Sequence, residues 1–198
     1  MRSLLALAVV FAIALGMAGS EPVGAAPTPK PTAKPSPVST PDPAVQKLSA
    51  LTGKDFDVAY IREALPTFDE DIEITQAATL NADHPELLQW NQQMVERKSA
   101  QVAKMVAILK GYAAPEGRRG VAVVTKNIQR MRTLRGGPLE KAYLPMMAAR
   151  FDRNVTLAAL AAAKASSPDL KTLAGDIATR ERREAALLRE WLKKWYGI

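Results

Sequence analysis

The sequence lacks cysteine, and it contains histidine only once, as His84. Without cysteine the chain has no disulfide, no thiolate metal ligand and no lipoprotein anchor. One imidazole cannot build a transition-metal site, and no serine has a histidine that would activate it as a nucleophile. His84 falls at a predicted hairpin turn, where we interpret it as an exposed residue of a first helical turn. We therefore expect no enzymatic activity.

Phosphate-binding loops and long apolar segments are lacking as well. The glycines of residues 117–137 do not have the strand–turn–helix setting of a phosphate loop. The apolar run at about residues 4–18 is short for a membrane span, which needs about 20 residues. It follows a basic start and precedes small residues, which predicts a signal peptide over residues 1–25. We expect an exported protein, periplasmic or extracellular, with an uncleaved N-terminal anchor as the alternative.

Composition divides the remaining chain into a spacer and one domain. Proline recurs at nearly every second or third position of residues 26–43, which predicts an extended, semi-rigid tether. Residues 44–198 are long enough for one domain with a substantial core. The net charge is +7, but export argues against nucleic acid as a partner. We expect instead an unknown protein partner or an anionic envelope surface, with contact that is peripheral to the membrane at most. The oligomeric state stays open.

The domain contains an internal repeat. Displacing the chain by 83 residues aligns two segments without a gap, so that Phe68-Asp69 falls on Phe151-Asp152 and Leu109-Lys110 on Leu192-Lys193. A fixed offset kept through both halves indicates one duplicated supersecondary unit. The repeats cover about residues 55–112 and 138–196, and a basic connector at 113–137 joins them.

Each repeat is predicted to be a hairpin of two helices. Apolar residues recur at helical spacing in both halves, and each hairpin turn has a polar residue followed by proline, a signal for a helix start. Two long antiparallel hairpins bury their apolar stripes best as a four-helix bundle. The predicted helices are residues 55–80, 85–110, 139–165 and 168–196, with an extra helix or a long crossover at 116–135.

Two segments resemble a known family. These are Ala142–Met147, with the sequence AYLPMM, and Arg189–Gly197, with the sequence REWLKKWYG. They are similar to the exported proteins grouped as domain of unknown function 305, and the resemblance runs from about Leu48 to the end. It implies an all-α, ferritin-like four-helix bundle built from two tandem helical hairpins. It also implies a place for metal, because members carry two adjacent histidines after such a segment and some are associated with copper.

The family's metal ligands are not retained in this chain. Thr67-Phe68 and Arg150-Phe151 stand where the resemblance places the histidine pairs. Of the family's glutamine, glutamate and methionine on the second helix, only Met105 in the first repeat and Glu184 in the second match. The resemblance thus implies a degenerate site, and we expect no bound metal or cofactor. The remaining soft-ligand candidates are Met105, Met146 and Met147, which are better explained as core residues.

Polar residues interrupt the apolar stripes near the middle of the predicted bundle. Repeat symmetry predicts that they lie in one layer, where buried carboxylates need partners. The residues of this layer are Asp69, Lys98, Gln101, Asp152, Glu181 and Glu184. In one interpretation the ammonium of Lys98 stands where relatives hold a metal ion and two phenylalanines fill the remaining space. In the other, the bundle is splayed and the charges reach water.

Three hypotheses for function follow from these patterns. The first is a non-catalytic envelope protein that binds a partner or surface through its helical faces. The second is a metal-handling, copper-associated envelope protein with a residual methionine or carboxylate site. The third is a hydrolase that uses carboxylates.

Overall fold

The computed structural model describes residues 42–117 and 124–198, and these form six α-helices without a strand. The predicted signal peptide and most of the tether lie outside the described residues. The helices are α1 (Pro43–Ser49), α2 (Gly53–Thr79), α3 (Pro85–Gly111), α4 (Lys126–Thr133), α5 (Gly136–Lys164) and α6 (Pro168–Tyr196). The all-α prediction is confirmed, and the four long helices differ from the predicted bounds by three residues at most. None of the described helices is long and apolar enough to cross a membrane.

The second helix of each hairpin begins at the proline that the sequence indicates. The hydroxyl of Ser167 accepts a hydrogen bond from the N–H of Leu170, and Pro168 is the first residue of α6. Pro85 likewise is the first residue of α3. Gly197 ends α6 in the left-handed region, with φ of 71°, a conformation that glycine adopts at little cost.

Two short helices accompany the bundle. Helix α1 begins at Pro43, the last residue of the predicted tether. The side chain of Asp42 caps this helix by accepting a hydrogen bond from the N–H of Ala44. Leu48 of α1 is buried in the core. Helix α4 lies in the connector, where the sequence predicts either an extra helix or a crossover, and it buries Ile128 and Met131.

The four long helices pack in the order α3, α2, α5, α6. Each hairpin packs its two helices together, α2 also packs on α5, and α3 packs only sparsely against α6. The buried apolar side chains form two clusters, one toward each end of the bundle. The first includes Phe56, Tyr60, Phe68, Met105 and Leu157, and the second includes Ile74, Met94, Tyr143, Phe151 and Leu188.

A buried carboxylate from each repeat closes the hairpin turn of the other repeat. Asp57 on α2 is fully buried, and it accepts from the N–H groups of Ser166 and Ser167 at 2.9 and 2.8 Å. The hydroxyls of Tyr112 and Ser166 also donate to it, each at 2.6 Å. Burial raises the pKa of Asp57, but these hydrogen bonds outweigh that effect and hold it below its ordinary value.

Glu140 on α5 performs the same role for the first repeat, and it aligns with Asp57 in the 83-residue repeat. Glu140 is fully buried and accepts from the N–H groups of Asp83 and His84 at 2.7 and 2.9 Å. The hydroxyl of Tyr196 donates at 2.6 Å. Burial raises the pKa of Glu140, and the hydrogen bonds from Tyr196 and His84 lower it below the ordinary value on balance. The two hairpins are therefore held together by reciprocal contacts.

Replacing either carboxylate with alanine should lower the free energy of unfolding by about 2–3 kcal/mol, because buried N–H groups lose a charged acceptor. Urea unfolding of Asp57→Ala and Glu140→Ala followed by circular dichroism measures this loss. Glu190→Ala is the matched control, since Glu190 is exposed on α6, and it should change stability by less than about 0.5 kcal/mol. Equal effects of the three variants would contradict the assignment.

The same carboxylates predict a pH dependence. Their folded pKa values lie below the ordinary 3.8 for Asp57 and 4.5 for Glu140. Their contribution is therefore complete above those ordinary values and is lost as the pH falls through the lower folded-state values. Each alanine variant should lose less stability than the unchanged protein does over this acid range. A pH series of urea unfolding would contradict this if the variant and the unchanged protein showed parallel slopes.

Candidate functional site

A buried ammonium lies between the two apolar clusters. Nζ of Lys98 on α3 donates to Asp71 on α2 at 2.9 Å and to Glu181 on α6 at 2.6 Å. The exposed fractions of the three side chains are 3%, 0% and 1%, respectively. Charges buried this completely are stable only when they are paired and hydrogen-bonded. The centre of the bundle is therefore an internal ion cluster made of groups from three helices.

Helix α5 completes the cluster. Nε of Arg150 donates to Oδ1 of Asp71, and its Nη2 donates to Glu70 at 3.1 Å and to the carbonyl oxygen of Thr67 at 3.3 Å. The amide of Asn154 donates to Oδ2 of Asp71 at 3.2 Å. Asp71 thus accepts hydrogen bonds from two cationic side chains and one amide, which accounts for both of its oxygens.

Three contacts of the cluster join residues that are equivalent in the two repeats. Lys98 contacts Glu181, Asn154 contacts Asp71, and Arg150 contacts the backbone of Thr67, each pair being separated by 83 residues. Two equivalent residues touch one another only where they lie beside the axis that relates their repeats. These contacts indicate a pseudo-two-fold axis through the ion cluster, as the gapless repeat predicts.

The cluster is electrostatically asymmetric although its positions are equivalent by repeat. Burial raises the pKa of Asp71, but Lys98 and Arg150 outweigh this and hold it below its ordinary value. Burial lowers the pKa of Lys98, and its two carboxylate partners reverse the direction, so the ammonium stays protonated. For Glu181 burial dominates and raises the pKa. Within the described residues, Oε2 of Glu181 has no hydrogen-bond partner, and Glu181 is therefore the less well stabilised of the two carboxylates.

Two phenylalanines enclose the ammonium, at positions where the family resemblance places histidines. Phe68 and Phe151 are 2% and 0% exposed. Nζ of Lys98 lies 3.5 Å from the centroid of the Phe68 ring and 5.4 Å from that of Phe151. The negative face of an aromatic ring attracts a cation, and the attraction is larger in a desolvated site. The rings thus complete the surroundings of Lys98 without offering a lone pair to a metal.

The structure brings together only some of the residues of the predicted polar layer. Lys98 and Glu181 lie at the centre, and Glu184 lies at its edge, where Arg97 donates to it. Gln101 is half-buried on α3 and lines the surface between α3 and α6. The layer is enclosed for Lys98 and Glu181, whereas the side chain of Glu184 is 12% exposed.

The two aspartates of the predicted layer lie elsewhere. Asp152 is exposed and pairs with Arg189 on the neighbouring helix. Asp69 is half-buried, and Asp71 takes the central place instead. Asp71 follows Phe68 by three residues, so the two share a helix face, whereas a residue directly after Phe68 points about 100° away. Helical spacing from Phe68 was the signal that identifies Asp71, and in the repeat it aligns with Asn154.

The three candidate methionines are divided between the two apolar clusters. Met105 lies in the first apolar cluster, whereas Met147 lies in the second and Met146 packs against that second cluster. The sulfur of Met94 accepts a hydrogen bond from Thr75 at 3.8 Å. Within residues 42–117 and 124–198, no three histidine, aspartate or glutamate side chains are grouped so that they could hold a metal ion. Met105 is the one described methionine of the first cluster, whereas Met94, Met131 and Met147 share the second, so the sulfur donors are divided between the two ends of the bundle.

The structure corrects the interpretation of His84 as an exposed residue. Its side chain is 33% exposed, and Nδ1 lies 2.5 Å from Oε2 of Glu140. The imidazole stacks on Trp195, with ring centroids 3.9 Å apart, and meets the edge of Tyr196. These contacts join the first hairpin turn to the end of α6. Sequence spacing gave no sign of them, because they depend on how the two repeats pack.

Comparisons with known proteins agree with this fold. The sequence profile of domain of unknown function DUF305 matches residues 140–198, and that of domain of unknown function DUF4142 matches residues 23–108. The DUF305 match therefore covers the second repeat, whereas the sequence resemblance was expected over both. No curated protein matches the chain.

Solved structures resemble the bundle over most of its length. A DUF305 protein from Streptomyces coelicolor, described as secreted, has a TM-score of 0.63 and 18% identity, covering 70% of this chain and 91% of that one. CopM in the Cu(I)-bound form has a TM-score of 0.63 and 18% identity, covering 71% and 98%. CopM in the apo form has a TM-score of 0.60 and 17% identity, with the same coverage. The chain thus resembles the DUF305 family, in fold across both hairpins and in sequence profile over the second.

Proposed function

We propose that this chain is an exported, non-catalytic helical-bundle protein of the cell envelope, which acts by binding a partner and has a degenerate metal site. The observation that carries the proposal is the buried ammonium of Lys98, held by Asp71 and Glu181 between two phenylalanine rings. A protonated ammonium repels a metal cation and offers no lone pair. The centre of the bundle thus already contains a cation that is part of the chain.

The pairing of the carboxylates also supports a non-catalytic function. Asp71 is bound by Lys98 and Arg150, Glu184 by Arg97, and Asp57 and Glu140 close hairpin turns. A carboxylate that acts as a general acid or base needs access to substrate, and each of these is instead occupied with an internal partner. Export is inferred from the predicted signal peptide, which lies outside the described residues.

The alternative is a metal-handling envelope protein with a residual site. It is favoured by the fold shared with CopM, for which a Cu(I)-bound form is known. Identity of 18% supports a shared fold and does not extend to ligands. Met105 is the one described methionine of its apolar cluster, so a copper ion beside it would have one sulfur ligand, which is a weak arrangement. The second cluster contains Met94, Met131 and Met147, and a residual site would have to be built from these sulfurs.

Metal binding by the purified protein separates the two functions. We expect no stoichiometric copper, zinc or iron by elemental analysis of protein prepared without an affinity tag. Addition of these ions should leave the melting temperature unchanged, because only a ligand of the native state raises it. One equivalent of copper bound with micromolar affinity, and lost in Met105→Leu or Met146→Leu but kept in the control Met131→Leu, would contradict the proposal and favour the metal-handling function.

A further inference from the structure

A groove runs between α3 and α6, two long helices that pack only sparsely against each other. Two adjoining depressions of about 670 and 800 Å³ form it. Lys104, Leu173 and Asp176 line both depressions, so they are continuous. The first runs along α3 from Trp90 to Lys104, about 21 Å at 1.5 Å per residue.

Charge is distributed unevenly along this groove. Arg97 on one wall and Arg180 and Arg183 on the other line the half nearest Trp90. Asp169 lines the half nearest Tyr112, and Asp176 lies where the two halves meet. We call the first half, from Trp90 to Lys104, the basic half of the groove. Its two walls present cations toward the same volume, which favours a negatively charged occupant.

Three of the four cations form no ion pair within the part of the chain that the structure describes. Arg97 is neutralised by Glu184. Within the described residues, no carboxylate lies within ion-pair distance of Lys104, Arg180 or Arg183, and all three are exposed. The basic half therefore has three cations outside any ion pair, and of the two carboxylates that also line it, Glu184 is paired with Arg97 and interacts electrostatically with Arg180, while Asp176 lies at its end. By contrast, Arg150 and Arg153 are each bound to two carboxylates.

We propose that the basic half of the α3–α6 groove binds a short acidic segment of a partner protein, with carboxylates placed against Arg180, Arg183 and Lys104. This inference rests on the proposed function and deepens it by naming the site and the chemistry of the partner. Guanidinium groups bind carboxylates through paired hydrogen bonds. The side chains of Gln93 and Gln101 lie in the same half and supply amide donors and acceptors for a peptide backbone.

The half of the groove nearest Tyr112, which contains Asp169, favours a short peptide over a long polyanion as the occupant. A uniformly charged polymer that follows the groove would pass from the arginines to Asp169 and Asp176 and would be repelled there. A segment of about fourteen residues in a helix, or about six in an extended chain, spans the basic half and ends before Asp169. The apolar surface of Leu173 and Leu187 also suits a peptide better than it suits a phosphate polymer.

Fluorescence anisotropy with a labelled peptide of alternating glutamate and alanine, about fourteen residues long, tests the inference on the purified protein. We expect saturable binding at low salt that weakens at least about tenfold in Arg180→Glu/Arg183→Glu. The matched control is Lys171→Glu/Arg182→Glu, which changes the net charge equally at two exposed positions of α6 outside the groove, and it should bind as the unchanged protein does. Carbodiimide coupling should join the peptide to Lys104 and not to Lys171.

Each other outcome of this experiment contradicts the inference. Equal weakening in both double variants would show attraction to net charge alone. Inorganic polyphosphate that binds as tightly and is as sensitive to Arg180→Glu/Arg183→Glu would identify the occupant as a polyanion. A peptide of alternating glutamine and alanine that binds equally would remove the role of carboxylates. The metal measurements have a separate readout, so copper binding would overturn the proposed function. A protein that binds neither copper nor the acidic peptide would overturn this inference alone.

Discussion

Replacing Lys98 with methionine should lower the free energy of unfolding by about 3–5 kcal/mol, since it leaves buried carboxylates without their cation. Arg150 would still bind Asp71. Glu181 would lose the only hydrogen bond that its Oε1 receives from a cation, while its Oε2 already lacks a partner within the described residues. Urea unfolding at neutral pH measures the loss. A loss under about 1 kcal/mol would mean that the cluster is solvated.

A second variant separates the charge from the packing of the lysine. Lys98→Met/Glu181→Leu removes the cation and the carboxylate that depends on it, and apolar pairs often replace buried ion pairs with no loss of stability. We therefore expect the double variant to recover most of the stability that Lys98→Met loses. If both variants are equally unstable, the lysine contributes through its shape and not through its charge.

The single variant should also show a dependence on pH. Burial already raises the pKa of Glu181 in the unchanged protein, and removing Lys98 takes away the charge that opposes this. A folded-state pKa above the unfolded-state value means that stability falls as the pH rises between the two. Lys98→Met should therefore be less destabilised at about pH 5 than at about pH 8. The double variant, which lacks Glu181, should not show this difference.

Truncation of either central phenylalanine should also cost about 3–5 kcal/mol, as is typical of buried aromatic residues. Phe151 is fully buried and packs against Trp90, with ring centroids 6.0 Å apart. Phe68 lies directly under the ammonium of Lys98. Urea unfolding of Phe68→Ala and Phe151→Ala measures these losses. Leu80→Ala is the control, because Leu80 is 87% exposed, and it should change stability by less than about 0.5 kcal/mol.

Leucine at the same positions distinguishes the cation–π contact from packing. Leucine keeps much of the apolar volume and removes the ring. We therefore expect Phe68→Leu to lower the free energy of unfolding by about 1–2 kcal/mol more than Phe151→Leu does. The reason is distance, since the ammonium is 3.5 Å from the Phe68 centroid and 5.4 Å from that of Phe151. Equal costs for the two leucine variants would show that the ring faces contribute only packing.

Much of the architecture follows from patterns within the sequence itself. Helical spacing of apolar residues, the prolines Pro85 and Pro168 at helix starts and the 83-residue offset are enough to predict two hairpins of long helices. These signals are local, or they repeat at a fixed interval, so they can be read without a three-dimensional arrangement. The short helix α1 was not predicted, because its seven residues are too few to establish a helical period of apolar positions.

The composition of the central cluster was predictable in part. The pairing of Lys98 with Glu181 follows from repeat symmetry, since residues at equivalent places on α3 and α6 meet near the axis. Choosing Asp71 instead of Asp69 depends on the rotation of α2 about its own axis, which a stripe of mixed polar and apolar residues leaves uncertain. Asp152 shares the repeat position of Asp69, and for the same reason it lies on the exposed side of α5.

The sequence by itself determined the helical class, the duplication and the absence of histidine at positions 68 and 151, because these depend on residue identity and on spacing along one chain. Only the tertiary structure decided which charges meet. The reciprocal closing of the hairpin turns by Asp57 and Glu140, the stacking of His84 on Trp195 and the groove between α3 and α6 join residues from different helices. Their distances depend on how far apart the helices pack and how each is rotated, and many pairs of helical faces satisfy the same apolar pattern.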